Sequence, residues 1–130
     1  MKHIMFVYGT LMKGQRNNHL LKDSVYLGDG VLQDYMLYEV ATFPGAVKRV
    51  GYKVYGELYE VDDDVKQIID ILEDVDNLYR CVLEDIVTEN GVIKANLYEF
   101  IDKGIKYPVF NGDGKWKYVD QDNKDIQIGS

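Results

Sequence analysis

The chain has 130 residues, a length that suits one domain with a single hydrophobic core. Its net charge of −7 and its scattered basic residues argue against nucleic acid and anionic membranes as partners. No stretch is long enough to span a membrane, the amino terminus lacks a signal-peptide pattern, and the single cysteine allows no internal disulfide. These features predict a cytoplasmic protein.

The first apolar run, residues 4–7, predicts a buried strand that ends just before Tyr8, Gly9, Thr10 and Leu11. A strand that ends in this way leaves backbone N–H groups free at its carboxyl end. Those of Gly9, Thr10 and Leu11 are candidates to bind one anionic oxygen, since glycine lets the backbone approach a ligand without a Cβ in between. In most proteins a Gly-Thr pair after a strand is an ordinary turn, so the loop alone assigns no function.

The segments that follow predict a short helix and then β-structure. Residues 17–22 fit a short helix with Asn18 as its cap. Residues 24–40 contain two strand-like runs on either side of a Gly-Asp-Gly sequence at 28–30, which signals a hairpin turn. Residues 42–46 include a Pro-Gly pair and predict a break between strands.

The second half of the chain predicts one amphipathic helix between strands. Residues 52–61 alternate as a strand does, and three aspartates then open a helix over about 62–74. Residues 79–89 and 92–100 flank Asn90-Gly91, a type I′ turn signal, and therefore predict a hairpin. The apolar face of the helix is predicted to consist of Val65, Ile68, Ile69 and Leu72.

One main helix among six or seven strands predicts an α+β fold. Because the turn signals favour antiparallel pairing, we expect a small antiparallel, largely closed β-barrel with short helices at its loops. Residues 1–119 would form the domain and residues 120–130 a polar carboxyl-terminal tail. We expect a monomer or a weak homodimer.

The residues that commonly carry metal, nucleotide or nucleophile chemistry are sparse. His3 and His19 are the only histidines, and there is no Cys/His cluster, so we expect no metal site. Neither a phosphate-binding glycine loop nor a GxSxG elbow is present, and we expect no cofactor. Cys81 beside Arg80 fits a small buried side chain better than a nucleophile.

Glu73 is the carboxylate whose position stands out. It lies at the end of the predicted helix, on the edge of the apolar face, where the helix dipole disfavours an acid. Partial burial, the dipole and the nearby Asp70, Asp74 and Asp76 would all raise its pKa, as a general base and acid requires. An ordinary solvated glutamate is the alternative that the local sequence leaves open.

Six short segments, each modest alone, stand in a characteristic order along the chain. They are residues 7–11, 43–47, 56–59, 71–75, 78–80 and 107–116. Together they resemble the γ-glutamylcyclotransferase-like family, over most of the chain from about residue 5 to residue 116. Two positions depart from the pattern: Asp74 stands where glycine is frequent, and Lys115 stands where an acidic residue often precedes the tryptophan.

The resemblance implies a small barrel whose pocket binds a γ-glutamyl group. It also implies an enzyme in which the substrate's α-amine attacks its own γ-carbonyl, so that 5-oxoproline forms and an amine or amino acid leaves, without metal or cofactor. Glu73 would shuttle the proton, and Tyr8 and Tyr79 would line the pocket. The N–H groups of Gly9, Thr10 and Leu11 would hold the substrate carboxylate or the developing oxyanion.

Two other functions remain open on the sequence alone. The same pocket would suit a non-catalytic binding module for a γ-glutamyl or related amino-carboxylate ligand, and the aspartate beside Glu73 gives that reading some support. An interaction domain with a vestigial pocket is the third reading, in which the acidic tail at 120–125 would be a docking segment or simply a solvated one.

Overall fold

The computed structural model describes residues 1–40, 43–102 and 114–116. Within that part of the chain there are five strands, one α-helix and one 3₁₀ helix. In chain order they are β1 (Lys2–Val7), the 3₁₀ helix (Asn18–Leu21), β2 (Val25–Val40), β3 (Phe43–Asp62), α1 (Asp63–Leu72), β4 (Tyr79–Thr88) and β5 (Gly91–Phe100).

The strands pair in the order β1-β3-β2-β4-β5, and β5 returns to β1 and β3, so the sheet closes into a ring. The pairing is antiparallel except at the closure, where Met5 lies opposite Asn96 and Ala46 lies opposite Glu99 in parallel. The predicted α+β class with a largely closed antiparallel sheet is confirmed. The described residues form five strands, whereas six or seven were expected for the whole chain.

The hairpin turn predicted at residues 28–30 is wrong, because β2 runs straight through them. Its pairing with β3 shifts between Tyr26 and Gly28, where Gly28 has a φ of 120° that forms an irregularity in the strand. A Cβ on Gly30 would lie 2.4 Å from Cγ2 of Ile86. The two glycines therefore serve a bulge and a close contact with β4 and do not reverse the chain.

The break predicted at residues 42–46 is also wrong for the part that the structure describes. Strand β3 already begins at Phe43, and residues 43–46 pair with the end of β2. Gly45 permits the close approach of Phe100, whose Cβ would lie 2.8 Å from an added Cβ. Thr42 itself lies outside the described residues.

Two local predictions hold only in outline. The helix expected at 17–22 is a 3₁₀ helix over Asn18–Leu21, and Asn18 is not its cap. The hairpin of β4 and β5 is present, with Thr88 opposite Gly91. Its turn is not type I′, which needs positive φ at both central residues, because neither Glu89 nor Asn90, the two residues between that pair, has such an angle.

The buried apolar residues of the described part of the chain form two clusters on opposite sides of the sheet. Side chains alternate along a strand, so Phe6 belongs to one cluster while Met5 and Val7 belong to the other. The Phe6 cluster also contains Trp116, which is 4% exposed, and the carbonyl of Gly114 accepts a hydrogen bond from the Tyr55 N–H at 2.9 Å. The stretch 114–116 is thus packed against β3.

Helix α1 packs through fewer side chains than its sequence pattern predicted. Ile69 is fully buried and Val65 packs beside it, whereas Ile68 and Leu72 are 49% and 39% exposed. The predicted bounds of about 62–74 match α1 with its cap Asp62 and its final turn. No helix among the described residues is long and apolar enough to cross a membrane. The predicted tail at 120–130 lies outside them.

Candidate active site

A pocket lies where the carboxyl end of β1 meets the end of α1. Its empty space, including the part open to solvent, is about 300 Å³. All six residues that the sequence nominated for a site contribute to its walls, and within residues 1–40, 43–102 and 114–116 no lysine or arginine belongs to the lining. The lining consists of Phe6, Val7, Tyr8, Gly9, Thr10, Leu11, Pro44, Glu73, Tyr79 and Tyr98.

Glu73 is the carboxyl group of this pocket. It directly follows α1, and its N–H donates to the carbonyl of Ile69 at 2.9 Å, so the helical path extends to it. That path brings its side chain toward the buried side of the helix, and Glu73 is only 8% exposed. Burial raises the pKa of Glu73 from its ordinary value of 4.5 to about 7, because a charged carboxylate is costly to remove from water.

The acidic neighbours of Glu73 do not contribute as the sequence predicted. Asp70 forms an ion pair with Lys66 at 3.0 Å and accepts a hydrogen bond from the Tyr98 hydroxyl at 2.5 Å. Asp74 is exposed, and its carboxylate accepts a hydrogen bond from the Asn77 side chain at 2.7 Å. Burial alone is therefore the cause of the raised pKa of Glu73.

A tight turn after Glu73 returns the chain to the same pocket at Tyr79. Asp74 and Asp76 have φ angles of 50° and 73°, in the left-handed region that aspartate tolerates better than most residues. The turn is closed by hydrogen bonds from the Leu78 N–H to the Asp74 carbonyl at 2.9 Å and from the Asp76 N–H to the Tyr79 carbonyl at 2.6 Å. Aspartate thus forms the turn at the position where the resemblance led us to expect glycine.

The hydroxyl groups of Tyr8 and Tyr79 form hydrogen bonds with backbone groups. The Tyr8 hydroxyl donates to the Tyr98 carbonyl at 2.5 Å and accepts from the Ala46 N–H at 3.2 Å. The Tyr79 hydroxyl donates to the Pro44 carbonyl at 2.5 Å. Burial raises the pKa of both phenols, so both remain neutral. They hold the start of β3 at the pocket and offer the ligand their rings.

In residues 9–11, called here the 9–11 loop, the backbone carbonyls are hydrogen-bonded within the described residues and the backbone N–H groups are not. Their three carbonyls accept hydrogen bonds from the N–H of Met12 at 3.1 Å, the N–H of Asn17 at 2.9 Å and the side-chain amide of Asn18 at 2.7 Å. Their three N–H groups donate to no acceptor within the part of the chain that the structure describes. Donors without a partner in a pocket wall can bind an anion or a developing oxyanion.

Four lining residues were not nominated from the sequence. Phe6 and Val7 were predicted as buried strand residues. Val7 and Pro44 also belong to segments that had contributed to the resemblance, without a role of their own. Tyr98 had no distinguishing signal, because it is one of eleven tyrosines in an alternating strand pattern. Its place in the pocket depends on the parallel closure of β5 against β1 and β3.

The pocket therefore combines one carboxyl with a pKa near neutrality, a set of available N–H donors and aromatic walls. Such a set can move a proton and stabilise negative charge at a reacting carbonyl. Among the described residues, no group of three or more His, Cys, Asp or Glu side chains is placed to hold a metal ion.

The family model described as "Gamma-glutamyl cyclotransferase, AIG2-like" matches residues 5–118 of the chain. The chain belongs to this family. The match includes every residue of the pocket, so the pocket is part of the family's own domain.

Proteins with similar sequences and structures agree with this assignment to the gamma-glutamyl cyclotransferase family. A Vibrio cholerae protein, whose name places it provisionally among the gamma-glutamylcyclotransferases, is 43% identical over 101 residues, which cover 76% of this chain and 84% of that protein. The crystal structure of an uncharacterised Pyrococcus horikoshii protein is 33% identical, with a TM-score of 0.66 and coverage of 86% and 89%. The crystal structure of a mouse AIG2-like protein has a TM-score of 0.74 at 22% identity, with coverage of 85% and 87%, and shows the shared fold.

Proposed function

We propose that this protein is a cyclotransferase that converts a γ-glutamyl-amine or γ-glutamyl-amino acid into 5-oxoproline and a free amine. The single observation that carries the proposal is the placement of Glu73, a buried carboxyl with a pKa of about 7, in one pocket with the 9–11 loop. The family and the fold support a cyclotransferase, and the pocket supports this reaction.

The γ-glutamyl group would bind folded, with its α-amine beside its own γ-carbonyl. Since the reaction is intramolecular, the main task of the pocket is to hold that near-attack shape. The aromatic walls formed by Tyr8, Tyr79 and Tyr98 suit the methylene chain. Because no cationic side chain among the described residues lines the pocket, the N–H groups of the 9–11 loop would bind the anionic oxygen of the ligand.

Glu73 would carry the proton through both halves of the reaction. As a carboxylate it accepts a proton from the α-ammonium, and the freed amine attacks the γ-carbonyl to form the new C–N bond. The oxyanion of the tetrahedral intermediate accepts hydrogen bonds from the 9–11 loop. Glu73 then donates to the leaving nitrogen as the old C–N bond breaks. The new ring nitrogen loses its second proton to Glu73, which is a carboxylate again, and Glu73 passes this proton to the released amine. Both protons lost by the α-ammonium thus leave with that amine at neutral pH, and Glu73 returns to its initial state.

The test is release of 5-oxoproline, measured by mass spectrometry, from a panel of γ-glutamyl-amines and γ-glutamyl-amino acids. We expect Glu73→Gln to lower kcat by at least about a hundredfold, because glutamine keeps the shape and cannot move the proton. The matched control is Glu60→Gln, the same change in β3 outside the pocket lining, which should keep wild-type turnover.

Each other outcome assigns the pocket differently. Full turnover by Glu73→Gln would remove Glu73 from the chemistry. Binding of an intact γ-glutamyl compound to the folded wild-type protein, with no 5-oxoproline from any member of the panel, would favour the non-catalytic binding module.

A further inference from the structure

The peptide groups of the 9–11 loop are fixed by hydrogen bonds to their carbonyl oxygens, which lie on the side opposite their N–H groups. In a planar trans peptide the C=O and N–H bonds point in opposite directions, so the donor that holds a carbonyl also sets the direction of the following N–H. The Asn17 N–H holds the Thr10 carbonyl at 2.9 Å and thereby orients the N–H of Leu11. The Met12 N–H holds the Gly9 carbonyl at 3.1 Å and thereby orients the N–H of Thr10.

The side chains of two consecutive asparagines complete this arrangement. The Asn17 amide donates to the Thr10 hydroxyl oxygen at 3.0 Å, and the Asn18 amide donates to the Leu11 carbonyl at 2.7 Å. The second contact fixes the peptide between Leu11 and Met12, whose N–H closes the turn onto Gly9. Both asparagine side chains are half-buried, and neither lines the pocket.

Asn18 is itself held in place by a chain of polar groups on β3. Its amide lies 3.4 Å from the Tyr59 hydroxyl, which donates to the Glu57 carboxylate at 3.0 Å. The same carboxylate oxygen accepts the N–H of Lys13 at 2.9 Å, just beyond the loop. The loop is thus tied to the rigid strand β3 at its downstream end.

We propose that Asn17 and Asn18 are positioning residues, which orient the peptide groups of the 9–11 loop so that its N–H groups face the ligand. The inference rests on the proposed function and extends it, because neither residue touches the ligand pocket. The side chain of Asn18 has the larger role, because the Leu11 carbonyl that it holds can only accept a hydrogen bond. The side chain of Asn17 matters less, because Asn17 also holds Thr10 through its own backbone N–H.

A charge-matched pair of variants tests the proposal. Aspartate has the shape of asparagine and only accepts hydrogen bonds. In Asn17→Asp the new carboxylate can still accept from the Thr10 hydroxyl, whereas in Asn18→Asp it faces a carbonyl that offers no hydrogen. We expect Asn18→Asp to lower kcat/KM for 5-oxoproline release by about tenfold, the equivalent of one lost hydrogen bond, and Asn17→Asp to stay within about twofold of wild type. Equal losses in the two variants would overturn the proposal.

A second pair separates positioning from simple loss of stability. Asn96 also donates its side-chain amide to a backbone carbonyl, that of Ile4 at 3.2 Å, and does not line the pocket. We expect Asn18→Ala and Asn96→Ala to lose similar stability in urea, while Asn18→Ala alone loses about tenfold in kcat/KM. A parallel loss of activity in Asn96→Ala would reduce Asn18 to a structural role.

Binding of the product keeps the test independent of turnover. We expect 5-oxoproline to shift the backbone amide resonances of Gly9, Thr10 and Leu11 in ¹⁵N-labelled wild-type protein, with about tenfold weaker binding in Asn18→Asp. If these amides shift but no γ-glutamyl substrate is turned over, the proposed reaction fails and the loop proposal stands. If 5-oxoproline leaves these three amides unshifted in the wild type, the loop proposal fails.

Discussion

The two ends of helix α1 carry carboxylates in opposite physical situations. At the amino end, Asp62 accepts a hydrogen bond from the Val65 N–H at 2.9 Å, and Asp63 accepts one from the His3 ring nitrogen at 2.6 Å. These acids are exposed and lie at the positive end of the helix dipole. The hydrogen bond from His3 is the main reason that the pKa of Asp63 lies below its ordinary value.

At the other end, Glu73 is buried at the negative end of the dipole, and its carboxyl group has no hydrogen-bond or ion-pair partner among the described residues. Its pKa is raised to about 7, where that of Asp63 is lowered. The comparison teaches that the acids at the start of α1 stabilise the helix, whereas the acid at its end is retained at a cost to stability. Such a cost is expected at a functional site, and it supports the role proposed for Glu73.

The largest expected effect that distinguishes the two ends is on the pH dependence of kcat/KM. If Glu73 must be ionised to accept the first proton, kcat/KM should fall about tenfold for each pH unit below its pKa of about 7, a total of about a hundredfold by pH 5. Steady-state kinetics from pH 5 to 8 measure this profile. A flat profile over that range would contradict the assignment, and Asp63→Asn should leave the profile unchanged because Asp63 lies at the opposite end of the helix.

The second effect is on stability. The pKa of Glu73 is about 7 in the folded protein and ordinarily 4.5, so folding favours its protonated form. The stability linked to this group is fully present below pH 4.5 and is lost as the pH rises through 7, by about 3 kcal/mol in total. As the pH is raised from 4 to 8, the free energy of unfolding of Glu73→Gln should therefore increase by about 3 kcal/mol relative to that of wild type. Urea unfolding at the two pH values measures this change. A constant difference between the two proteins would mean that Glu73 is not buried as a carboxylate.

The same contrast explains which features could be predicted from sequence. The place of Glu73 could be predicted because it depends on local helical geometry, which puts this residue about 40° from Ile69 around the helix axis. The position of the three aspartates at the start of α1 could be predicted for the same reason. The ion pair of Asp70 with Lys66 was missed, and with it the reason that Asp70 adds no charge to the pocket, although the i,i+4 spacing of the two residues was visible.

Features that depend on distant partners could not be predicted in this way. A Gly-Asp-Gly sequence signals a turn unless the space at Gly30 is needed by Ile86, which lies 56 residues further along the chain. Tyr98 reaches the pocket only because β5 closes the ring of strands. The support of the 9–11 loop by Asn18 was hidden because that residue matched a helix-cap pattern.

A smaller effect is expected when the cap at the amino end is removed. Asp62→Ala deletes the acceptor of the Val65 N–H and should lower stability by about 1 kcal/mol, with wild-type turnover. Its control is Asp64→Ala, which removes a charge from the same exposed turn without removing the cap. Equal losses in the urea midpoints of the two variants would show that charge, and not the cap hydrogen bond, is what stabilises this end.

The smallest effect is expected at Asp63, whose pH dependence has the opposite sign to that of Glu73. Because the pKa of Asp63 is lowered from 3.8, its contribution to stability is present above that value and is lost as the pH falls through the lowered pKa. Asp63→Asn should therefore lower the urea midpoint slightly at pH 7, and the loss should disappear in molar sodium chloride, since the contacts with His3 and the terminal amine are exposed. A loss that persists in high salt would mean that Asp63, like Glu73, acts through more than its surface charge, and the contrast between the two ends of α1 would weaken accordingly.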